Sequence, residues 1–210
     1  MQDQLRSRIK DRAGETIAGY GDYSRILSDL QGLMEMESPV IIAIDGRCGS
    51  GKTYLADWIG TLFPCNICHM DDFYLPFEKR REDWKEVPGG NMDLERFLTE
   101  VLLPVRAGCT AEYRPFHCKT NRMGEGVKLH RQRLTVVEGS YSHHPLLTPN
   151  YDRRIFLTCS KEKQRERLKI REGFGFLMFE EQWIPMEEEY LQSFDIEKNS
   201  HFVVDTSAMF

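Results

Sequence analysis

The sequence lacks any apolar run long enough to cross a membrane and has no large excess of charge of one sign. Its 210 residues are 40% hydrophobic and carry a formal net charge of −5. A transmembrane helix needs about 20 consecutive apolar residues, and the opening stretch MQDQLRSRIKDR is too charged for a secretory signal. We therefore expect a cytoplasmic globular protein with no membrane partner. The mild acidity also argues against nucleic acid as its main partner.

Internal repeats, low-complexity segments and a disulfide framework are also missing. The six cysteines lie at positions 48, 65, 68, 109, 118 and 159, several of them within predicted strands, and a reducing cytosol would keep them free. Cys65 and Cys68 form a C-x-x-C pair, a spacing found in zinc and redox sites. A redox pair normally opens a helix, whereas this pair lies in an extended run, and zinc would need two further ligands. We expect these cysteines to be structural.

The most informative stretch that is present is AIDGRCGSGKTYLADWIG, from Ala43 to Gly60. Its glycines, Lys52 and Thr53 fit the pattern G-x-x-x-x-G-K-[ST], a loop whose backbone N–H groups surround phosphate oxygens. Lys52 is expected to reach the β- and γ-phosphates of a nucleoside triphosphate, and the Thr53 hydroxyl to bind Mg²⁺. The residues predicted to bind the nucleotide are Gly46, Cys48, Gly49, Ser50, Gly51, Lys52 and Thr53.

Apolar periodicity predicts strands and helices in alternation along the chain. The predicted strands are Val40–Ile44, Cys65–Met70, Leu134–Val137, Arg154–Thr158 and His201–Val204; the predicted helices are Tyr54–Phe63, Leu94–Val105, Lys161–Arg171 and Leu177–Phe194, the last kinked or split at Pro185. This order predicts an α/β protein with a parallel sheet covered by helices on both faces. Residues 1–38 are predicted to be a helical extension in two pieces, and residues 39–210 the main domain, with a small hairpin excursion over residues 109–133.

Two acidic clusters follow predicted strands, as the phosphate loop does. Asp71 and Asp72 follow the second strand, and Glu138 ends the third. Ligands in such sheets bind beyond the carboxyl ends of the strands, and phosphoryl transfer to an alcohol uses a carboxylate that receives the hydroxyl proton. One of the paired acids could serve in this way, or Asp72 could merely cap its turn. Glu138 could hold metal-bound water, or it could be a satisfied acid at a strand end.

Arginines and aromatic residues supply the remaining candidates. Arg167 and Arg171 are four residues apart and share one helix face, so they either close over a triphosphate or belong to a solvated basic helix. Four aromatic residues flank the predicted site: Tyr74, Tyr113, Phe116 and His117. Their rings could stack on a flat ligand or form the core of the hairpin. For Phe116 we favour a place in the core.

The motifs GRCGSGKT, MDDFYLP, YRPFHC and VVEGSYS, followed by a basic helix, resemble the uridine kinase/phosphoribulokinase family of P-loop kinases, in particular bacterial proteins labelled uridine kinase-like. The resemblance spans roughly Pro39 to Asp205. It implies a P-loop NTPase fold with a five-stranded parallel sheet, a lid helix and a substrate-side hairpin. It also implies transfer of the γ-phosphate of ATP, with Mg²⁺, to the 5′-hydroxyl of a nucleoside, uridine or cytidine.

Site roles follow from the same resemblance. It implies that Asp71 is the general base, that Tyr74 contacts the substrate, and that Glu138 contributes to the magnesium shell. Residues near the family's pyrimidine-reading positions are Tyr113 and His117, and those of the lid are Arg167 and Arg171. The chain departs from the family where the histidine register after Tyr113 is shifted and where Asp72 replaces a small hydroxyl residue.

Other functions are compatible with the sequence. Nicotinamide riboside, pantothenate or another small hydroxyl metabolite are the alternative acceptors. A nucleotide-binding switch without chemistry is the alternative from another class, although no N-K-x-D guanine-reading motif is present. The expected partner is a small-molecule substrate, and assembly into a homo-oligomer is left open.

Overall fold

The computed structural model describes residues 20–209, and a five-stranded parallel sheet lies at its centre. Within that range the strands are β1 (Val40–Gly46), β2 (Cys65–His69), β3 (Ala111–Tyr113), β4 (Phe116–His117), β5 (Arg122–Met123), β6 (Val127–Leu129), β7 (Leu134–Glu138), β8 (Arg153–Thr158) and β9 (Phe202–Asp205). The sheet order is β2–β7–β1–β8–β9, with every pair parallel. The predicted α/β fold and its five strands are confirmed.

Helices cover both faces of this sheet. They are α1 (Tyr20–Leu33), α2 (Lys52–Leu62), α3 (residues 94–106), α4 (Lys161–Glu172) and α5 (residues 176–193). Asp93 caps α3 by accepting the Arg96 N–H. The predicted break at Pro185 takes the form of a π-helical turn, Phe179–Trp183, immediately before it. Such a wide turn lets a helix continue past a proline that lacks an N–H donor.

The core consists of one apolar cluster on each face, because side chains alternate along β1. Ile41 and Ala43 join the cluster that contains Phe73 and Tyr190, whereas Ile42 and Ile44 face the opposite cluster. Each fully buried side chain of this kind contributes roughly 1.5–3 kcal/mol of burial free energy. The sheet is therefore packed against apolar side chains on both faces.

Helix α1 belongs to the second of these clusters. Ile26 and Leu30 are each 1% exposed and pack in the same cluster as β1, and Asp29 forms an ion pair with Arg153 at 2.7 Å. The boundary predicted at residue 38 therefore separates two stretches of chain that share one core. The helix includes Gly21, one of the two glycines predicted to interrupt it, and the other predicted helical piece lies outside the described residues.

The excursion predicted over residues 109–133 is a nested antiparallel hairpin, in which β3 pairs with β6 and β4 pairs with β5. Strand β4 of this hairpin lies against the turn that follows β2. Among residues 20–209, none of the helices combines the length and the apolar character that crossing a bilayer demands.

Candidate active site

The sheet order brings three loops together at one edge. In the parallel register Glu138 of β7 lies beside Ile44 of β1 on one side and His69 of β2 on the other. The phosphate loop after β1, the acidic turn after β2 and the carboxylate that ends β7 therefore meet in one place. Because Asp71, Asp72 and Glu138 follow predicted parallel strands, we expected them to lie close to the phosphate loop.

The loop after β1 has the backbone shape that its glycines predicted. Gly46, Gly49 and Gly51 have φ values of 138°, 76° and 94°, which side chains rarely tolerate. A Cβ at Gly46 would lie 1.9 Å from the Leu157 carbonyl oxygen. Lys52 Nζ donates to the carbonyl oxygens of Gly46 at 2.6 Å and Arg47 at 3.2 Å, across the loop. A cavity of about 430 Å³ opens between this loop and α4, and its walls include Gly49, Gly51, Lys52, Thr53, Tyr54, Arg167, Leu168 and Arg171.

Helix α5 holds the phosphate loop through contacts that the sequence interpretation missed. Glu187 accepts the Cys48 N–H at 2.7 Å, and Glu188 receives two hydrogen bonds from the Arg47 guanidinium, at 2.6 and 3.0 Å. Burial raises the pKa of Glu187, and the charge of Lys52 opposes this effect. The one local signal was that Glu187 shares the buried helix stripe with Tyr190 and Leu191, where an acid is unusual.

Asp45 is a second carboxylate that was missed. It is fully buried at the end of β1 and accepts three hydrogen bonds: from the Gly46 N–H at 2.7 Å, the His143 N–H at 2.8 Å and the Tyr190 hydroxyl at 2.7 Å. A buried carboxylate is tolerated when its lone pairs are filled in this way. Asp45 thus ties the start of the phosphate loop to α5.

Thr53 and Glu138, the predicted metal ligands, are adjacent. The Thr53 hydroxyl lies 3.2 Å from Glu138 Oε2. A hydroxyl and a carboxylate are hard oxygen donors, and Mg²⁺ takes one or two such protein ligands with water and substrate phosphates completing its shell. The residues present therefore fit Mg²⁺. Within residues 20–209 no group of three or more His, Cys, Asp or Glu side chains is arranged to hold a metal, and Cys65 and Cys68 face opposite sides of the sheet.

His69 is the other partner of Glu138. Its Nδ1 lies 2.6 Å from Glu138 Oε1, and this hydrogen bond raises the pKa of His69 against the opposing effect of burial. The sequence placed His69 in a strand and gave it no role. The register that pairs it with Glu138 is a long-range property, so no local pattern could have indicated it.

We expect the His69–Glu138 contact to stabilise the fold in a pH-dependent way. Because the folded-state pKa is raised, the contribution is complete below the unfolded pKa of about 6.5 and is lost as pH rises through the folded value. The Tm difference between the wild type and His69→Gln should therefore shrink as pH increases from 5 to 9. The exposed His130→Gln is the control. A Tm difference that stays constant over this range would contradict the expectation.

The two adjacent acids after β2 point to different surroundings. Asp71 is exposed to solvent beside Lys52 and Glu138, and the open space between these three side chains is called the cleft below. The surrounding protein still buries its carboxylate in part, which raises its pKa; Glu138 raises the pKa further, and Lys52 opposes both effects. Asp72 instead accepts a hydrogen bond from the Tyr113 hydroxyl at 2.9 Å, on the hairpin side. Of the two, Asp71 is the acid that lies within electrostatic reach of the phosphate loop and the predicted metal ligand.

The predicted substrate contacts divide into two groups. The Tyr74 hydroxyl donates to Asp71 Oδ1 at 3.2 Å, so it lies at the cleft. Tyr113 is 4% exposed, its ring centroid lies 4.8 Å from that of Phe73, and its hydroxyl donates to Asp72. Its predicted role in reading a base stays a prediction. Phe116 is core, as favoured. His117 is exposed on β4, beside the turn that carries Asp71.

The two arginines predicted to form the lid have different surroundings. Arg167 donates to the Gly49 carbonyl at 3.1 Å and to the Thr206 carbonyl at 2.6 Å, and so links the phosphate loop to the segment after β9. Arg171 has a side chain that is 54% exposed at the cavity rim, where it pairs with Glu172. Its charge acts to lower the pKa of Asp71. Arg171 is therefore the more available of the two to a bound phosphate.

We expect Arg171→Ala to slow phosphoryl transfer by roughly 10-fold or more, because charge that develops on the transferred phosphate would lose a cationic partner. Arg167→Ala should also slow transfer, and in addition lower Tm and ATP affinity, because the loop loses its tie to Thr206. The Lys163 side chain pairs with Glu166 on the solvated face, so Lys163→Ala should leave the transfer rate, the ATP affinity and Tm unchanged. The measurements are kcat, ATP Kd and Tm. Negligible effects at all three positions would identify α4 as an ordinary solvated helix.

No protein-family model matches the chain, and neither does any curated protein sequence. Solved structures do match. A candidate uridine kinase from Bacillus stearothermophilus has a TM-score of 0.64 and 19% identity, with 84% of this chain and 100% of that chain covered. A candidate fructose transport system kinase from Silicibacter has a TM-score of 0.61 and 18% identity, with 78% and 91% covered.

A third similar structure is YFH7 from Saccharomyces cerevisiae, described as a candidate P-loop kinase with a circular permutation. Its TM-score is 0.57 at 11% identity, with 88% of this chain and 98% of that chain covered. At such identities the likeness concerns the fold. This chain accordingly has the fold of P-loop kinases.

Proposed function

We propose that the protein is an ATP- and Mg²⁺-dependent kinase that phosphorylates a hydroxyl group of a small molecule. The observation that carries the proposal is the position of Asp71. Its carboxylate opens to the cleft within electrostatic reach of Lys52 and Glu138, whereas the neighbouring Asp72 is bound to Tyr113. A phosphate loop alone would support nucleotide binding; the added cleft carboxylate supports transfer to an alcohol.

In this mechanism Asp71 accepts the proton of the acceptor hydroxyl as that oxygen attacks the γ-phosphorus. The bond from the γ-phosphorus to the bridging oxygen breaks, and ADP leaves with the electron pair. Lys52 and the loop N–H groups stabilise charge on the phosphate oxygens. Thr53 and Glu138 would hold Mg²⁺, which neutralises phosphate charge when bound. The raised pKa of Asp71 is closer to neutral pH than that of an ordinary aspartate, and a general base works best when its pKa lies near the operating pH.

The acceptor implied by the family resemblance is a nucleoside, uridine or cytidine. Two observations favour the alternative, another small hydroxyl metabolite. Tyr113 is buried on Asp72, so its ring has no face free for a base, and the histidine register of this segment is shifted. The nucleotide-switch alternative offers no account of a cleft carboxylate held by Tyr74.

Acceptor-dependent release of ADP tests this function. Purified protein with ATP and Mg²⁺ is supplied with a panel of nucleosides, hydroxy acids, sugars and hydroxylated vitamins, and the products are identified by mass spectrometry. ADP formation that requires an added acceptor, with a matching phosphorylated product, is the expected result. Tight ATP binding without acceptor-dependent turnover anywhere in the panel would leave a nucleotide-binding switch.

A further inference from the structure

A small cavity lies outside the candidate active site, beside the C-terminal end of α5. Its volume is about 160 Å³, and residues of three segments form its wall: His143, Pro145, Thr148, Arg154, Phe194, Ile196 and Asn199. In the register of β1 and β8, Arg154 lies beside Ala43, three residues before Gly46 begins the phosphate loop. A strand rises about 3.3 Å per residue, so Arg154 lies about 10 Å along the sheet from that loop.

Arg154 is the permanently charged residue of this cavity. Side chains alternate along β8, so Arg154 shares a face with Phe156, which packs in the cluster that contains Tyr190 of α5. Its neighbour Arg153 faces the other way and pairs with Asp29. Within residues 20–209, neither a hydrogen-bond acceptor nor a carboxylate is bound to the half-buried Arg154 guanidinium. This cation has therefore lost part of its hydration without gaining a counter-ion.

Two neutral hydrogen-bond donors join Arg154 in the cavity wall. The Thr148 hydroxyl makes one long hydrogen bond, to the Pro145 carbonyl oxygen at 3.3 Å. The Asn199 amide donates one N–H to the Phe194 carbonyl oxygen at 3.1 Å, and its second N–H has no acceptor in the described part of the chain. The cavity thus presents a guanidinium, a hydroxyl and an amide N–H. Carboxylate and phosphate oxygens bind to donors of these kinds.

The neighbouring titratable groups leave the charge of Arg154 in place. His143 is 2% exposed and donates from Nε2 to the Ala43 carbonyl oxygen at 3.1 Å. Burial lowers the pKa of His143, Asp45 opposes this effect, and Arg154 adds to it, so the ring is neutral at pH 7. Of the acids in residues 194–199, Glu197 lies 3.9 Å from Arg47 on the phosphate loop. The other is exposed to water and forms no ion pair with any residue that the structure describes.

We propose that this cavity binds a small oxyanion, which is either inorganic phosphate or the phosphate or carboxylate group of a metabolite. The Arg154 guanidinium binds two of its oxygens, and the Thr148 hydroxyl and the Asn199 amide bind the others. The volume is about five times the ~30 Å³ that one water molecule takes up in the liquid. It lies below the ~300–1,000 Å³ of sites that enclose a drug-sized ligand, so the cavity suits the anionic group itself. Binding here does not depend on the proposed kinase activity.

Isothermal titration calorimetry with inorganic phosphate tests this site. The phosphate loop is first filled with Mg²⁺ and a non-hydrolysable ATP analogue, so that the added phosphate cannot bind there. The wild type is compared with Arg154→Gln and with Thr148→Val, which keeps the shape of the side chain and removes the hydroxyl. Arg25→Gln is the control for net charge, because Arg25 is exposed on α1, and α1 packs on the opposite face of the sheet. Thermal melting checks that each variant is folded.

We expect the wild type and Arg25→Gln to bind one phosphate with equal affinity. Arg154→Gln should bind it about 10- to 100-fold more weakly and Thr148→Val about 3- to 10-fold more weakly, the ranges for a charged and a neutral hydrogen-bonded contact. Parallel titrations with glycerol 3-phosphate and acetate identify the source of the anion. Binding of inorganic phosphate alone indicates the free ion, whereas equal or tighter binding of the ester or of acetate indicates a group carried by a metabolite.

Two results overturn the proposal. One is that none of the three anions binds to the wild type once the phosphate loop is filled. The other is that a bound anion keeps its full affinity in folded Arg154→Gln, because it then lies elsewhere on the protein. Both results leave the kinase proposal standing, since that proposal is tested by ADP release.

Discussion

Asp71→Asn is expected to lower kcat by roughly 10²–10⁴-fold, the usual contribution of a positioned general base. Asparagine keeps the shape of the side chain and a carbonyl oxygen for the Tyr74 hydroxyl, which donates to Asp71 at 3.2 Å. It cannot accept the proton of the attacking hydroxyl. ATP affinity should change little, because the phosphate loop is untouched. The measurements are kcat with the acceptor found in the screen and ATP Kd.

The neighbouring acid supplies the control for this result. Asp72→Asn removes a charge one residue away but leaves the cleft unchanged, and its main effect should fall on the contact with Tyr113. The pH profile gives a second readout: burial, followed by Glu138, raises the pKa of Asp71, so wild-type kcat/KM should fall as pH drops through that raised value. If Asp72→Asn is the more damaging variant while ATP binding is preserved, the base has been assigned to the wrong residue.

Lys52→Ala is the second change for which we expect a large effect, a loss of at least tens-fold in kcat. The ammonium group is the point charge expected on the β- and γ-phosphates, and its removal leaves developing charge on the phosphate oxygens without a cation. Its contacts are with the carbonyl oxygens of Gly46 and Arg47, so the fold should survive. Circular dichroism and kcat are measured together, with Lys163→Ala as the lysine control. Wild-type turnover in a folded variant would rule out the predicted role of the loop.

The sequence predicted the sheet because its signals are local. Apolar runs bounded by Pro39, Pro64 and the glycines of the phosphate loop mark the strands, and an N-cap at Asp93 marks a helix. Strand β1 was predicted to end at Ile44, two residues early, because Asp45 is polar. Its burial depends on hydrogen bonds to His143 and Tyr190, about 100 and 145 residues away. Neither the secondary-structure propensity of a residue nor the apolar periodicity around it indicates hydrogen-bond partners so far away in the sequence.

The candidate site was predictable to the same extent. Thr53, Asp71 and Glu138 follow predicted strands, and parallel strands bring such positions together. The surroundings of Tyr113 could not be predicted, because a tyrosine in a short amphipathic strand can face either the cleft or the core, and the choice depends on where Asp72 points.

The hydrogen bonds between α5 and the phosphate loop affect the entropy of nucleotide binding. Asp45, Arg47 and Cys48 are each hydrogen-bonded to a residue of one helix turn, Glu187 to Tyr190. Fixing the backbone of a residue costs about 1–2 kcal/mol in conformational entropy. For these loop residues the entropy is lost when the protein folds, before any nucleotide binds. The nucleotide then meets a loop that is already curved, and more of its contact energy remains available as affinity.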